Sequence, residues 1–125
     1  TDGLDAAQEQ LPGDAALLQL ASHAIGQLNL RYGPGVAGSR FLLLHRRRQF
    51  NPSENVWMGW ERKRGKLHEL NRLLRGADDT SFIPVPGLSQ RVPAAVRYVI
   101  TLDADTRLPR DAALRLIALV SGCSG

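Results

Sequence analysis

Val96-Arg97-Tyr98-Val99-Ile100-Thr101-Leu102 runs directly into Asp103-Ala104-Asp105. The first seven residues are rich in β-branched and aromatic side chains, which fit a pleated, packed surface and predict a strand. Pro109 suits the first turn of a helix, and Asp111 favours that helix's dipole, before ALRLIALV (113–120) continues the helical pattern. A strand that ends in two acids and leads into a helix is the layout of an open α/β sheet. In such sheets ligands bind beyond the carboxyl ends of the strands. Two carboxylates one residue apart converge when the chain turns. Their charge and hard oxygens suit a hydrated Mg²⁺ or Mn²⁺ that also holds substrate phosphates. Spacing alone also allows a pair of acids that caps the following helix.

Upstream, Phe41-Leu42-Leu43-Leu44 is an apolar run without alternation, entered from Gly38 and left through His45-Arg46-Arg47-Arg48. It reads as a strand buried on both faces, with a short buried helix as the alternative. Residues 14–32 carry Leu17, Leu20, Ala21, Ala24, Ile25 and Leu28 in an i, i+3, i+4 rhythm, with Asp14 as N-cap and Gly33-Pro34-Gly35 as the stop. Residues 61–75 form a second amphipathic helix with a Leu67, Leu70, Leu74 stripe and Gly76 as its terminator. Between them, QFNPSENVWMGW (49–60) reads as a loop with three aromatics, and 77–95 as a long loop with a short strand near Phe82-Ile83. Alternating helices and strands predict an α/β layer of two or three mostly parallel strands with flanking helices. The expected organisation is a frayed lead-in over 1–13, a domain over 14–120 and a tail over 121–125.

The chain has 125 residues, with 43% hydrophobic and 22% charged side chains, which is the sequence of one domain. Its one cysteine, Cys123, excludes an internal disulfide. The apolar runs are far shorter than the ~20 residues of a membrane span. The net charge of +4 is unevenly spread: residues 1–30 hold four acids and no base, whereas 31–76 hold eleven Arg or Lys against three Glu. A basic middle segment attracts polyanions, such as nucleic acid, anionic lipid or the diphosphate of a nucleotide, or is a solvated face.

Counting separates the enzyme classes that place acids after a strand. A haloacid-dehalogenase-type phosphatase needs D-x-D-x-T, but Thr106 comes one position early and Arg107 fills the required place. A P-loop NTPase needs G-x-x-x-x-G-K-[ST]. Gly59 to Gly65-Lys66 is one residue too long, and Leu67 replaces the hydroxyl residue. Both readings weaken, and the third class is the nucleotide-sugar glycosyltransferases. In these, D-x-D acids hold a divalent ion against a departing diphosphate, where positive charge stabilises the transition state.

Arg64-Gly65-Lys66-Leu67-His68-Glu69-Leu70-Asn71, with Val99 to Asp105 some thirty residues on, resembles the processive family-2-like glycosyltransferases of the GT-A fold. The longer string Trp57 to Leu67, with Tyr98 to Thr106 and Leu108 to Asp111, resembles the glycosyltransferase region of cyclic β-1,2-glucan synthases. His45 to Arg48 and Asn51-Pro52 fit the same pattern, so the resemblance covers about residues 40–119. It implies a partial GT-A, Rossmann-like layer. It also implies that Asp103 and Asp105 bind the divalent ion and the diphosphate of UDP-glucose, with Lys66 approaching the uridine diphosphate. The partners so implied are UDP-glucose and a glucan acceptor, not nucleic acid, at the cytoplasmic face of a bacterial inner membrane. The piece itself would make no membrane contact.

A complete enzyme of this kind also needs a first strand with a nucleotide-binding acid, a catalytic base after D-A-D and a Q-x-x-R-W-type motif. None is found, and no acid follows Asp111. The chain is therefore expected to be a central piece of a larger synthase, inactive alone, and able to dimerise through exposed strand edges. The competing class is a polyanion-binding module, with the basic 40–76 segment gripping nucleic acid through arginine and stacking aromatics.

Overall fold

The structure is a computed structural model that describes residues 1–35 and 38–122. It divides into two units, Thr1–Ala94 and Ala95–Gly125. Cys123 and most of the expected tail lie outside the described residues.

In the first unit, α1 (Asp14–Tyr32) coincides with the expected helix, but its N-cap is Gly13. Asp14 is the first helical residue, and its carboxylate accepts the Leu11 N–H at 2.9 Å. The inward stripe is also rotated from the predicted one. Leu18, Ala21, Ser22, Ile25, Leu28 and Asn29 are half-buried, while Leu17 and Leu20 face outward. Asn29 ties the helix to the following chain through both halves of its amide, which bond the Phe41 N–H and C=O at 3.0 Å each.

The strands are short and antiparallel. β1 (His45–Arg46) pairs with β4 (Phe82–Ile83), and β2 (Gln49–Asn51) pairs with β3 (Val56–Met58). The protein is thus mixed α/β, but its two small sheets correct the expectation of mostly parallel strands. The apolar run at 41–44 is not itself a strand; it leads into β1, with Leu43 in the core. The segment read as a loop at 49–60 is mainly a hairpin. Asn51 makes that hairpin: its Oδ1 accepts the Ser53 and Glu54 N–H groups, its carbonyl accepts the Asn55 N–H, and Asn55 takes the left-handed conformation, φ 55°. Across the ladder Phe50 faces Trp57, and their rings are 5.6 Å apart.

The helix α2 (Arg62–Leu74) ends as read. Gly76 is left-handed at φ 95°, the Gly76 N–H bonds the Leu73 carbonyl, and the Ala77 N–H bonds the Arg72 carbonyl, which together make a Schellman stop. The apolar core of this unit is small, formed by Ala6, Leu43, Met58 and Val85. Segment 1–13 contributes to it directly. Ala6 is buried and exchanges two 2.8 Å backbone bonds with Trp57.

In the second unit, α3 (Ala112–Ser121) forms where a helix was expected, but it starts after Asp111, its N-cap, so Pro109 lies before the helix and not in its first turn. Residues 96–102, read as the defining strand, form no strand among the described residues. Tyr98, Val99, Ile100 and Leu102 are 38–48% exposed. β-propensity records packing against neighbours, and this run has no ladder to pack in.

Candidate functional site

The basic run His45-Arg46-Arg47-Arg48 passes through and just beyond β1, where side chains alternate between faces. Arg46 and Arg48 therefore point inward, 1% and 6% exposed, while Arg47 faces solvent. Arg46 uses all five guanidinium N–H groups. Its Nε and Nη2 grip Asp2 bidentately at 2.7 and 2.8 Å. Its Nη1 donates to Glu69 at 2.9 Å and to the Trp60 carbonyl at 3.0 Å, and its Nη2 also reaches the Arg62 carbonyl at 2.9 Å. Glu69, on α2, then accepts from the Ser81 N–H at 2.9 Å and from the Ser81 hydroxyl. Arg48 donates to the Leu4 and Glu9 carbonyls and pairs with Asp14.

Burial alone would favour neutral carboxyls here. For Glu69 it is outweighed by the Ser81 and Arg46 hydrogen bonds, and for Asp2 by Arg46, so both acids sit below their ordinary values. For Arg46, burial is likewise outweighed by its two carboxylate partners, and its pKa is raised. A buried ion pair with every donor used is structural in effect. It removes Arg46 and Arg48 from any polyanion-binding face, while Arg47 stays exposed.

The network reaches the helix that carries Lys66. Gly59 lies against Asp2, where an added Cβ would come within 2.6 Å of the carboxyl carbon. At Gly65 a Cβ would land on the Trp60 carbonyl oxygen. The turn between β3 and α2 is so tight that Glu61 and Arg62 both adopt left-handed conformations, φ 53° and 48°. Lys66, directly after Gly65, is half-buried, and its charge helps keep the Asp2 carboxyl ionised. Arg62 is exposed and bridges Asp5 and Glu54, which together raise its pKa.

Asp103 and Asp105 lie in the second unit, both exposed, at a turn closed by the Thr106 N–H on the Asp103 carbonyl at 2.9 Å. The turn brings the two carboxylates onto one short bend. Among the described residues no group of three or more His, Cys, Asp or Glu side chains could hold a metal ion. Both acids are exposed, and Mg²⁺ is commonly held by one or two acids plus substrate phosphates and water. Lys66 belongs to the first unit and the acid pair to the second. The buried network of Asp2, Arg46, Glu69 and Ser81 was missed in the sequence. No local signal marked it, since its acids lie 44 and 23 residues from Arg46.

No protein-family model matches the chain. The chain is 52% identical over 117 residues to the cyclic beta-(1,2)-glucan synthase NdvB of Rhizobium meliloti (strain 1021), a match that covers 94% of this chain. The chain spans about 4% of the length of that relative. A match of 117 residues within 125 necessarily contains both Lys66 and Asp103-Ala104-Asp105. The resemblance noted in the motifs therefore extends over nearly the whole chain.

Proposed function

We propose that this chain, similar over nearly its whole length to a short segment of a cyclic β-(1,2)-glucan synthase, is a nucleotide-sugar-binding segment of a glucosyltransferase that builds such a glucan. The observation that carries the proposal is the extended match, which spans both the Gly65-Lys66 helix and the D-A-D acids. In this reading Asp103 and Asp105 hold Mg²⁺ or Mn²⁺ against the diphosphate of UDP-glucose. The ion would supply charge neutralisation as the diphosphate leaves. Lys66, in the other unit, is a flexible ammonium of the kind that partners phosphate. The part of a GT-A layer contributed here is the 96–102 segment and its acids, with β-branched residues ready to join a larger sheet.

The chain alone is not expected to turn over donor sugar, since a segment this short carries binding groups without an acceptor base. Among the described residues no helix is long and apolar enough to cross a membrane. The test is titration of the chain with UDP, with and without Mn²⁺, repeated on Asp103→Ala. Metal-dependent binding that the substitution removes supports the assignment. Equal binding by both proteins counts against it.

A further inference from the structure

The turn between β3 and α2 presents a side chain that the nucleotide-sugar reading leaves unused. Left-handed conformations at two successive non-glycine residues persist only where the surroundings enforce them. Here the enforcing groups are visible. Arg46 donates to the Trp60 and Arg62 carbonyls, and Gly65 packs on the Trp60 carbonyl. The consequence is that Trp60 is turned outward, 44% exposed, on backbone that is clamped from beneath. Its ring rests on His68, with centroids 6.0 Å apart at 59°. Leaving a large apolar ring half in water has a hydration cost that packing it inward would have avoided.

Beside Trp60 lies a cleft of about 200 Å³, bounded by Gln49, Asn51, Met58 and Glu61. Sites for drug-sized ligands run from roughly 300 to 1,000 Å³, so this one has room for a single ring. Met58 is 3% exposed and gives the cleft an apolar floor. Asn51 is fixed by the hairpin turn, and Glu61 lies 3.6 Å from Arg64 with half of its side chain exposed. The Asn51 amide is used within the hairpin, which leaves the Gln49 amide. A flat indole, an apolar floor, one amide and one carboxylate match a neutral ring with C–H faces and an equatorial belt of hydroxyls. The faces stack on the indole, and the hydroxyls donate to the carboxylate and exchange bonds with the Gln49 amide. A carboxylate at the rim disfavours an anionic ligand.

We propose that Trp60 and this cleft form a carbohydrate subsite for one β-linked glucosyl residue of a glucan, stacked on the indole with its hydroxyls toward Gln49 and Glu61. That the sugar is glucan rests on the function proposed above; that the ligand is a pyranose is argued from the indole face, the Gln49 amide and the size of the cleft.

The test is an NMR titration of the whole chain with a linear β-1,2-gluco-oligosaccharide, read at the Gln49 amide and the two indole N–H signals. The expected result is saturable shifts at Gln49 and Trp60. Trp60→Ala should weaken binding by about tenfold or more, as truncation of a central aromatic contact does. Trp60→Phe, which keeps a ring and guards against a folding defect, should bind within about threefold of the parent on the same grounds. Absence of saturable shifts overturns the proposal, as does Trp60→Ala binding like the parent. Tighter binding of a proline-rich peptide at the same residues also overturns it. A parallel titration with UDP and Mn²⁺ separates the two readings. Nucleotide binding without glucan binding removes this subsite and leaves the proposed function. Glucan binding lost in Trp60→Ala, without nucleotide binding, supports the subsite and removes the nucleotide-sugar assignment.

Discussion

Arg46→Lys keeps the charge at the centre of the first unit and changes only the shape of the donor set. Arginine meets five acceptor contacts there: two on Asp2, one on Glu69 and the carbonyls of Trp60 and Arg62. An ammonium has three N–H groups on a single nitrogen, so at least two contacts are lost, and the bidentate grip on Asp2 with them. Hydrogen bonds to charged groups contribute about 1.5–3 kcal/mol each. The side chain of Arg46 is fully buried and that of Glu69 nearly so, which leaves little water to compensate. The expected loss is about 3 kcal/mol or more. For a unit of this size that corresponds to a fall in Tm of roughly 12–24 °C. Thermal unfolding followed by circular dichroism at pH 7 measures it. A fall of less than about 4 °C, equivalent to under 1 kcal/mol, would refute the idea that the full donor set holds this unit together.

Three further outcomes are expected. Gly65→Ala gains about 1 kcal/mol of helix propensity but drives a Cβ into the Trp60 carbonyl, and overpacking typically costs 1–3 kcal/mol, more against fixed backbone. A net loss of about 2 kcal/mol in urea unfolding is predicted, and a stabilised variant would show that the turn can yield. On acidification the unit should lose stability as pH falls below the ordinary Glu69 value of 4.5. The folded carboxyl is held lower than that, so the unfolded chain binds its proton first. Tm should therefore drop between about pH 5 and pH 3, and a flat or rising Tm across that window contradicts the sign. Finally, the chain supplied with UDP-glucose, Mn²⁺ and a β-1,2-glucan acceptor should release no UDP above the background rate, and sustained release would show that it carries its own catalytic base.

How much of this was legible in the sequence depended on whether the determining contacts were local. Both helices of the first unit and the Gly76 stop follow from periodicity and a left-handed glycine, which are features of a few consecutive residues. The hairpin at 49–58 was hidden because Asn51-Pro52 reads as a loop until the Asx-type turn closes it and brings Phe50 opposite Trp57. Arg46 was hidden for a different reason. Its burial depends on Asp2 and Glu69, 44 and 23 residues away, and nothing in a run of arginines says which ones will find acids. The segment 96–102 shows the reverse case. Its composition announces a strand, but composition cannot provide the neighbour that a strand needs, and no strand forms there among the described residues. Within the candidate site, the Gly65-Lys66 pair was recognised from its motif, and the structure adds why the glycine is required: backbone packing against Trp60.

The central claim is that Asp103 and Asp105 bind a divalent ion together with a uridine diphosphate. Calorimetric titration of the chain with UDP in Mn²⁺, set against the same titration in a chelator and with Asp103→Ala, tests it most directly. The account predicts heat of binding that requires the metal and disappears with Asp103→Ala while Tm is unchanged. Binding of equal strength without metal, or undiminished in Asp103→Ala, would contradict it.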